Sequence, residues 1–146
     1  MDAAWRSFIC GATEKPQHLT VKGRTLIATK TARDAARFTF AELCETPLGA
    51  NDYLVIARHF STVFLDSIPA MSPESRNEAK RFVTLIDALY DRRTKLVCSA
   101  DGEPDNLYQA GDGSFEFERT ASRLIEMQST DYLGAAQEQA EPTTEN

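Results

Sequence analysis

The stretch that decides the fold is STVFLD at residues 61–66, SPESRNEAKRFVTLIDALYD at 72–91 and KLVCS at 95–99. The first and last pieces are short runs of β-branched, aromatic and apolar residues, which predict buried strands. In the middle piece, Ser72 predicts a helix cap and Pro73 the first position of a long helix. Strand, helix and strand together predict a crossover that sets two parallel strands side by side. Because parallel strands need cover on both faces, we expect that cover from the rest of the chain or from a further domain.

The apolar residues of the long helix recur at helical spacing. They are Ala79, Phe82, Val83, Ile86, Leu89 and Tyr90. Steps of three and one along this set keep it on a single stripe, which is typical of a helix that packs by one side against a core.

Further elements are predicted on both sides of the crossover. Before it lie two or three strands of a small sheet, at Leu19–Val21, Arg24–Lys30 and Ala35–Phe40. Two helices follow, one at Phe40–Glu45 and one that Asn51 or Asp52 caps and that ends near Phe60. After the crossover, a loop at 100–113 leads to a helix at 115–128. The predicted fold class is α/β: a small N-terminal β-region, then helices, a parallel βαβ unit and a C-terminal helix.

Length and composition indicate one globular domain. The chain has 146 residues, of which 42% are hydrophobic and 26% charged. We expect this domain at 1–133 and a disordered acidic tail at 134–146, which has nothing to bury. The net charge of -6 argues against nucleic acid as a partner. No apolar run is long enough for a transmembrane segment and no signal peptide is visible, so a cytoplasmic location is expected.

The cysteines do not suggest a metal site or a disulfide framework. Cys10, Cys44 and Cys98 are an odd number without CxxC spacing, and His59 has no partner histidine at ligand spacing. Cys44 and Cys98 stand inside apolar runs, where free cysteines usually behave as small buried hydrophobes. We therefore expect no structural metal.

Three stretches carry a resemblance to a known family. They are FAELCETPLGANDYL at 40–54, NEAKRFVTLIDALYD at 77–91 and FEFERTASRLIEMQS at 115–129. In this order they resemble the C-terminal portion of the AFG-like AAA+ ATPases, and the resemblance extends over about residues 4–133. It implies an AAA+ fold, ATP and Mg²⁺ as ligands of the complete protein, and ATP hydrolysis as its activity. It also implies a link to cell division in bacteria.

The partners that the resemblance implies follow from the same family. They are an upstream nucleotide-binding domain of the same protein, further copies in a homo-oligomeric ring, and proteins of the division machinery. The sequence itself has no GxxxxGK[ST] loop, and Asp66 is followed by Ser67 rather than by a second acid. No catalytic residue is therefore assigned, and no cofactor is expected for this chain alone.

Three arginines are the candidate phosphate contacts. Arg81 lies on the long helix, outside its apolar stripe, whereas Arg119 and Arg123 lie four residues apart on the last helix. AAA+ proteins use arginines on such helices to contact nucleotide phosphates. The alternative for each arginine is a surface ion pair with a carboxylate three residues away. These carboxylates are Glu78, Glu116 and Glu126.

Other readings of the sequence stay open. Asp66 and Ser99 end the two parallel strands and imitate a Walker B to sensor segment, or else they only cap loops. The chain is a part of an ATPase, a non-catalytic protein-interaction module, or a truncated gene product. A further hypothesis is a phosphate-handling enzyme with Asp66 or Asp101 as nucleophile. If the natural cover of the parallel strands is missing, the isolated chain should aggregate or dimerise.

Overall fold

A computed structural model describes residues 2–109, 111 and 113–127 of the chain. Its strands are β1 (Lys15–Val21), β2 (Arg24–Ala32), β3 (Ala35–Thr39), β4 (Thr62–Ile68) and β5 (Lys95–Ala100). Its helices are α1 (Asp2–Ile9), α2 (Phe40–Cys44), α3 (Ala50–His59), α4 (Arg76–Asp91) and α5 (Ser114–Glu126). Short 3₁₀ turns at Pro73–Ser75 and Pro104–Asn106 precede α4 and α5 respectively. The tail predicted at 134–146 lies outside the described residues.

The strands form one five-stranded sheet in the order β1-β2-β3-β4-β5. β1 and β2 pair antiparallel around the Lys22-Gly23 turn, where Gly23 has a φ of 72°, and β2 and β3 also pair antiparallel. β3, β4 and β5 are parallel neighbours, and α4 connects β4 to β5. The α/β class and the βαβ unit predicted from 61–99 are therefore confirmed.

Helices cover the parallel part of the sheet on both faces. On one face, Phe38 and Leu65 belong to a buried cluster that α2, α3, α4 and α5 complete, with Phe82 and Phe117 stacked at 5.7 Å between ring centroids. On the other face, Trp5 of α1 packs edge-on against Phe64 at 5.0 Å between centroids. Both faces of β3 and β4 thus receive cover from this chain, while Cys98 and Ala100 of the edge strand β5 stay exposed. None of the described helices has the length and apolar character needed to span a bilayer.

No helix was predicted at the start of the chain, where the structure has α1. Eight residues are too few to make a helix stable on local propensity alone. Trp5 and Ile9, four residues apart, are instead buried together against the sheet, and Trp5 Nε1 donates to Glu14 Oε1 at 2.8 Å. Tertiary packing therefore stabilises a helix that the local sequence does not signal.

Two predicted helix caps are also wrong in detail. The N-cap of α3 is Gly49, and Asp52 stands three residues later, where its Oδ2 accepts from the Gly49 backbone N–H at 2.7 Å. The same oxygen accepts from Arg24 Nη2 at 2.6 Å, which joins α3 to the β1–β2 hairpin. Ser72 and Pro73 begin the 3₁₀ turn rather than the α-helix, which starts at Arg76.

The three cysteines are free thiols in three environments. Cys44 is fully buried as predicted, and burial raises the pKa of its thiol to about 12. Cys98 was expected to be buried but is exposed on the edge strand β5, where it lines a pocket with Ile68 and Leu96. Partial burial by the surrounding protein raises the pKa of its thiol. Cys10 follows α1 and is exposed.

Candidate functional site

A groove of about 540 Å³ runs between α4 and the start of α5. The two helices are held apart at this end by aromatic rings, because Phe117 packs on Phe82 and edge-on against Tyr108 at 5.6 Å. The loop before α5 passes close to Tyr108 and Pro73 at Gly111, which has a φ of 118°. A side chain at Gly111 would come within 2.6 Å of the Tyr108 hydroxyl, so only glycine fits at this position of the loop.

The walls of the groove carry three cationic side chains. Arg76 and Lys80 come from successive turns of α4, and Arg119 comes from α5. Two carboxylates, Asp87 and Glu116, share the lining. Guanidinium and ammonium groups that converge from two helices are suited to an anion with several oxygens, such as a phosphate chain.

Arg119 and Arg123 both meet Asp87 of α4. Arg119 Nη2 lies 3.7 Å from Asp87 Oδ2, and Arg123 Nη1 pairs with Asp87 Oδ1. The Arg123 guanidinium also lies over the ring of Tyr90, 4.8 Å from its centroid. The surface ion pairs that the sequence offered as the alternative therefore form, but the described carboxylate partner is Asp87 rather than Glu116 or Glu126. Glu126 accepts from the Tyr90 hydroxyl at 2.7 Å.

Arg81 lies apart from this pair. Its Nη1 donates to the backbone carbonyl of Cys44 at 2.9 Å, and its side chain is half-buried. That carbonyl belongs to the last turn of α2, where a helix leaves acceptors without internal partners. The predicted ion pair with Glu78 is absent from the described contacts, so Arg81 fastens α4 to α2 and does not line the groove.

A second cluster lies at the other face of the sheet, at the carboxyl end of β4. Arg37 of β3 donates to Asp66 Oδ2 from both Nε, at 3.0 Å, and Nη2, at 2.7 Å. The same Nη2 lies 2.7 Å from Asp2 Oδ1, at the start of α1. Arg37 is only 8% exposed. The hydrogen bonds that Arg37 donates to Asp66 raise the pKa of Arg37, and the hydrogen bond that Arg37 donates to Asp2 lowers the pKa of Asp2.

The irregular end of β4 is held by Ser99 of β5 rather than by a catalytic group. Ser67 has a φ of 64°, at a break in the register between β4 and β5. Its backbone N–H donates to Ser99 Oγ at 2.8 Å. Asp66 and Ser99 therefore have structural partners, which favours the loop-capping alternative over an active-site strand pair.

The described residues fit phosphate better than a metal ion. No three histidine, cysteine, aspartate or glutamate side chains among them come together as a metal site. Mg²⁺ in nucleotide enzymes is held by carboxylates and hydroxyls beside the phosphate loop, which this sequence lacks. The groove cations Arg76, Lys80 and Arg119 match only the anionic part of an Mg²⁺–nucleotide ligand.

The sequence indicated Arg119 and Arg123 as candidate phosphate contacts but not the residues that surround them. Arg76 and Lys80 form an i, i+4 row of cations on α4, a signal that was available in the spacing. Asp87 offered no such signal, because its contact with α5 spans more than thirty residues of chain. Arg37 was missed because a charged residue in a short strand normally faces solvent.

Comparison with known proteins gives the family. The model of the AFG1-like ATPase family matches residues 1–136. The chain belongs to this family. The resemblance carried by 40–54, 77–91 and 115–129 is therefore confirmed, and the α/β fold with its parallel strands agrees with part of a P-loop ATPase.

Two curated relatives show how much of a family member this chain represents. It is 36% identical over 133 residues to cell division protein ZapE of Escherichia coli, which is 91% of this chain and 36% of ZapE. It is 40% identical over 117 residues to lactation elevated protein 1 homolog B of Danio rerio, which is 80% of this chain and 23% of that relative. No solved structure matches the chain. The chain thus spans about a third or less of the length of these relatives.

Proposed function

We propose that this chain works as the C-terminal part of an AFG1-like ATPase, in which it places Arg119 beside the phosphates of ATP held by a nucleotide-binding region of the longer protein. The observation that carries this proposal is the groove between α4 and α5, where Arg76, Lys80 and Arg119 converge. An arginine that stabilises the charge on transferred phosphoryl oxygens accelerates hydrolysis strongly in this class of enzyme.

Arg119 suits this role better than the other two candidate arginines. Its side chain is 60% exposed and its only described carboxylate partner, Asp87, lies at 3.7 Å. Arg123 is 25% exposed and is committed to Asp87 and to the Tyr90 ring, whereas Arg81 is committed to the Cys44 carbonyl. We propose that Arg81 and Arg123 support the helices around the groove, and that Arg119 exchanges Asp87 for phosphate oxygens.

The chemistry that ATP and Mg²⁺ supply together is transfer of the terminal phosphoryl group to water. The chain itself has no phosphate loop and no Walker B acid pair. The proposal therefore assigns cradling of the phosphates, Mg²⁺ binding and activation of water to residues outside this sequence. The contribution of this chain is positive charge at one side of the nucleotide and a rigid helical support for it.

The cellular setting is proposed from the relatives. ZapE is named as a cell division protein, and we propose a role in division for the protein to which this chain belongs. A cytoplasmic location, a homo-oligomeric ring and contacts with proteins of the division machinery complete the proposal. The competing function is a non-catalytic protein-interaction module, which the exposed edge strand β5 favours, since an open edge can accept a strand from a partner.

The test has a binding stage and a catalytic stage. Titration of this chain with ATP should show weak binding, which Arg119→Ala weakens by about tenfold because it removes a charge-assisted contact. Lys22→Ala, in the hairpin turn, is the control and should leave binding unchanged. In complete ZapE, alanine at the position aligned with Arg119 should lower the ATPase kcat by at least about a hundredfold.

Two results would contradict the proposal. If Arg119→Ala and Lys22→Ala behave alike in both stages, the groove does not contact phosphate. If this chain hydrolyses ATP unaided, the catalytic groups are not outside it. Steady-state phosphate release, measured with and without Mg²⁺, reports hydrolysis. Circular dichroism of each variant shows whether a loss of activity is only a loss of folding.

A further inference from the structure

The second basic surface of the molecule lies at the opposite end of the sheet from the groove mouth, where the parallel strands begin. Three chain segments meet there. The Ser61 backbone N–H donates to the Asp34 carbonyl at 3.0 Å, and the Lys95 N–H donates to the Ser61 carbonyl at 2.9 Å. Thr94 Oγ1 donates to the Ala57 carbonyl at 3.4 Å. The β2–β3 turn, the end of α3 and the end of α4 are therefore adjacent.

These three segments carry a concentration of cations, which we call the basic face. Its members are Arg33, Arg58, Arg92, Arg93 and Lys95. Arg33, Arg58 and Arg92 are exposed, and the other two are partly exposed. Across the described part of the chain, no carboxylate oxygen lies within 4.0 Å of the charged groups of Arg58, Arg92 or Lys95. In a chain of net charge -6, such a grouping is a marked separation of charge.

Two nearby acids, Asp34 and Asp91, also belong to these segments. Asp34 is engaged with Ser61, whose Oγ donates to Asp34 Oδ2 at 2.7 Å. Asp91 is exposed at the end of α4 and is the other carboxylate of these segments. The helix ends α3 and α4 favour cations in their last turns, which accounts for Arg58 and Arg92 in part. Lys95 begins a strand, so helix dipoles do not explain its position.

The end of α5 lies close to this surface. Tyr90 donates to Glu126 Oε1 at 2.7 Å, and the Arg93 guanidinium lies 5.5 Å from the centroid of the Tyr90 ring. Glu126, at the end of α5, therefore lies beside the border of the basic face. The sequence 128–146 contains Asp131, Glu138, Glu141 and Glu145, and no lysine or arginine. Nineteen residues reach about 60 Å when extended, which exceeds the width of this surface.

We propose that the acidic segment 128–146 docks on the basic face of its own chain and competes there with external polyanions. Each exposed ion pair is weak, so the docking is collective and sensitive to salt. Covalent attachment at Met127 supplies a high effective concentration, which makes several weak pairs sufficient. The family match ends at residue 136, so the three glutamates of the segment are not part of what the AFG1-like assignment covers.

Carbodiimide cross-linking of the intact chain tests the contact directly. At about 20 mM salt we expect amide bonds between Lys95 and Glu138, Glu141 or Glu145, located by peptide mass mapping, with yields that fall about fivefold at about 500 mM salt. Lys22, in the hairpin turn at the other end of the sheet, is the internal reference and should form no such bonds. Mixing isotopically labelled and unlabelled chains shows whether each bond lies within one chain.

Matched charge variants test the competition. E138Q/E141Q/E145Q removes three negative charges from the segment, and D101N/E103Q/D105N removes three from the exposed loop after β5, at the other end of the sheet. With a heparin oligosaccharide as the polyanion probe, the first variant should bind about fivefold more tightly than the unmodified chain. The second should change affinity by less than about twofold.

Three results would overturn the proposal. Equal gains in the two variants would mean that net charge alone governs binding. Lys95 bonds that join labelled to unlabelled chains would assign the basic face to a second copy. The proposal would also fail if no salt-sensitive Lys95 bonds to the segment form and E138Q/E141Q/E145Q leaves heparin affinity unchanged. The basic face would then bind external anions only.

Discussion

Two clusters in this molecule are built from the same parts but lie in different surroundings. In one, Arg37 of β3 pairs with Asp66 and Asp2 beneath α1. In the other, Arg119 and Arg123 of α5 pair with Asp87 of α4. The Arg37 side chain is 9% exposed and that of Arg119 is 60% exposed. Burial therefore makes the first cluster a structural joint and leaves the second with capacity for a ligand.

The difference shows how a guanidinium becomes available for function. Removing Arg37 would leave the Asp66 carboxylate without its guanidinium partner. The Oδ1 atom of Asp66 already has no hydrogen-bond partner among the described residues. Moving Arg119 from Asp87 to a phosphate replaces one anion by another in water, at little cost. A charge that is held by several buried contacts is a poor ligand contact, and a charge held by one long contact is a good one.

The largest stability effect is expected for Arg37→Met, which removes every ion pair of the buried cluster. Breaking such a pair leaves an uncompensated charge, so we expect the free energy of unfolding to fall by about 3 kcal/mol. Urea denaturation followed by circular dichroism measures it. Arg37→Lys keeps the charge and loses the second hydrogen bond, so its loss should be smaller. If Arg37→Met is as stable as the unmodified chain, the cluster is not a structural joint.

A smaller effect is expected for Arg123→Ala, and the smallest among the arginines for Arg119→Ala. Arg123 combines the Asp87 ion pair with the Tyr90 ring, which together are worth about 1 kcal/mol. Among the described residues, the ion-pair partner of Arg119 is Asp87 at 3.7 Å, so the loss of Arg119 should lower the free energy of unfolding by less than about 0.5 kcal/mol. The same urea experiment ranks the two. A greater loss for Arg119→Ala would contradict the contrast between the clusters.

The sequence predicted the parts of this fold that have a strong local period. β4, α4 and β5 were predicted because an apolar run, a helical stripe and a second apolar run follow one another, and the structure confirms them. α1 was missed because its stability comes from Trp5 packed on Phe64, a contact with a strand far along the chain. The candidate site was predicted in the same uneven way. Arg119 and Arg123 share a helix face, but their partner Asp87 is visible only once α4 and α5 are packed together.

The pH dependence of the buried cluster gives the finest test of the comparison. The hydrogen bond from Arg37 lowers the pKa of Asp2 below its ordinary value of 3.8. A group whose pKa is lower in the folded state contributes stability above the unfolded pKa and loses that contribution as the pH falls through the folded pKa. Asp2→Asn should therefore destabilise the chain slightly at neutral pH. The difference should shrink as the pH falls below 3.8 and vanish below the lowered pKa of Asp2.

Thermal unfolding of Asp2→Asn and of the unmodified chain, recorded from neutral pH down to strongly acidic buffer, measures that difference. The control is Asp105→Asn, which changes an exposed carboxylate after β5. Glu42→Gln is unsuitable as a control because Glu42 completes the cap of α2. A constant gap between Asp2→Asn and the unmodified chain at every pH would mean that the asparagine changes the start of α1 rather than the ion pair. A gap that closes in acid would place Asp2 in the same structural joint as Arg37 and Asp66, since only its ionised form pairs with the guanidinium.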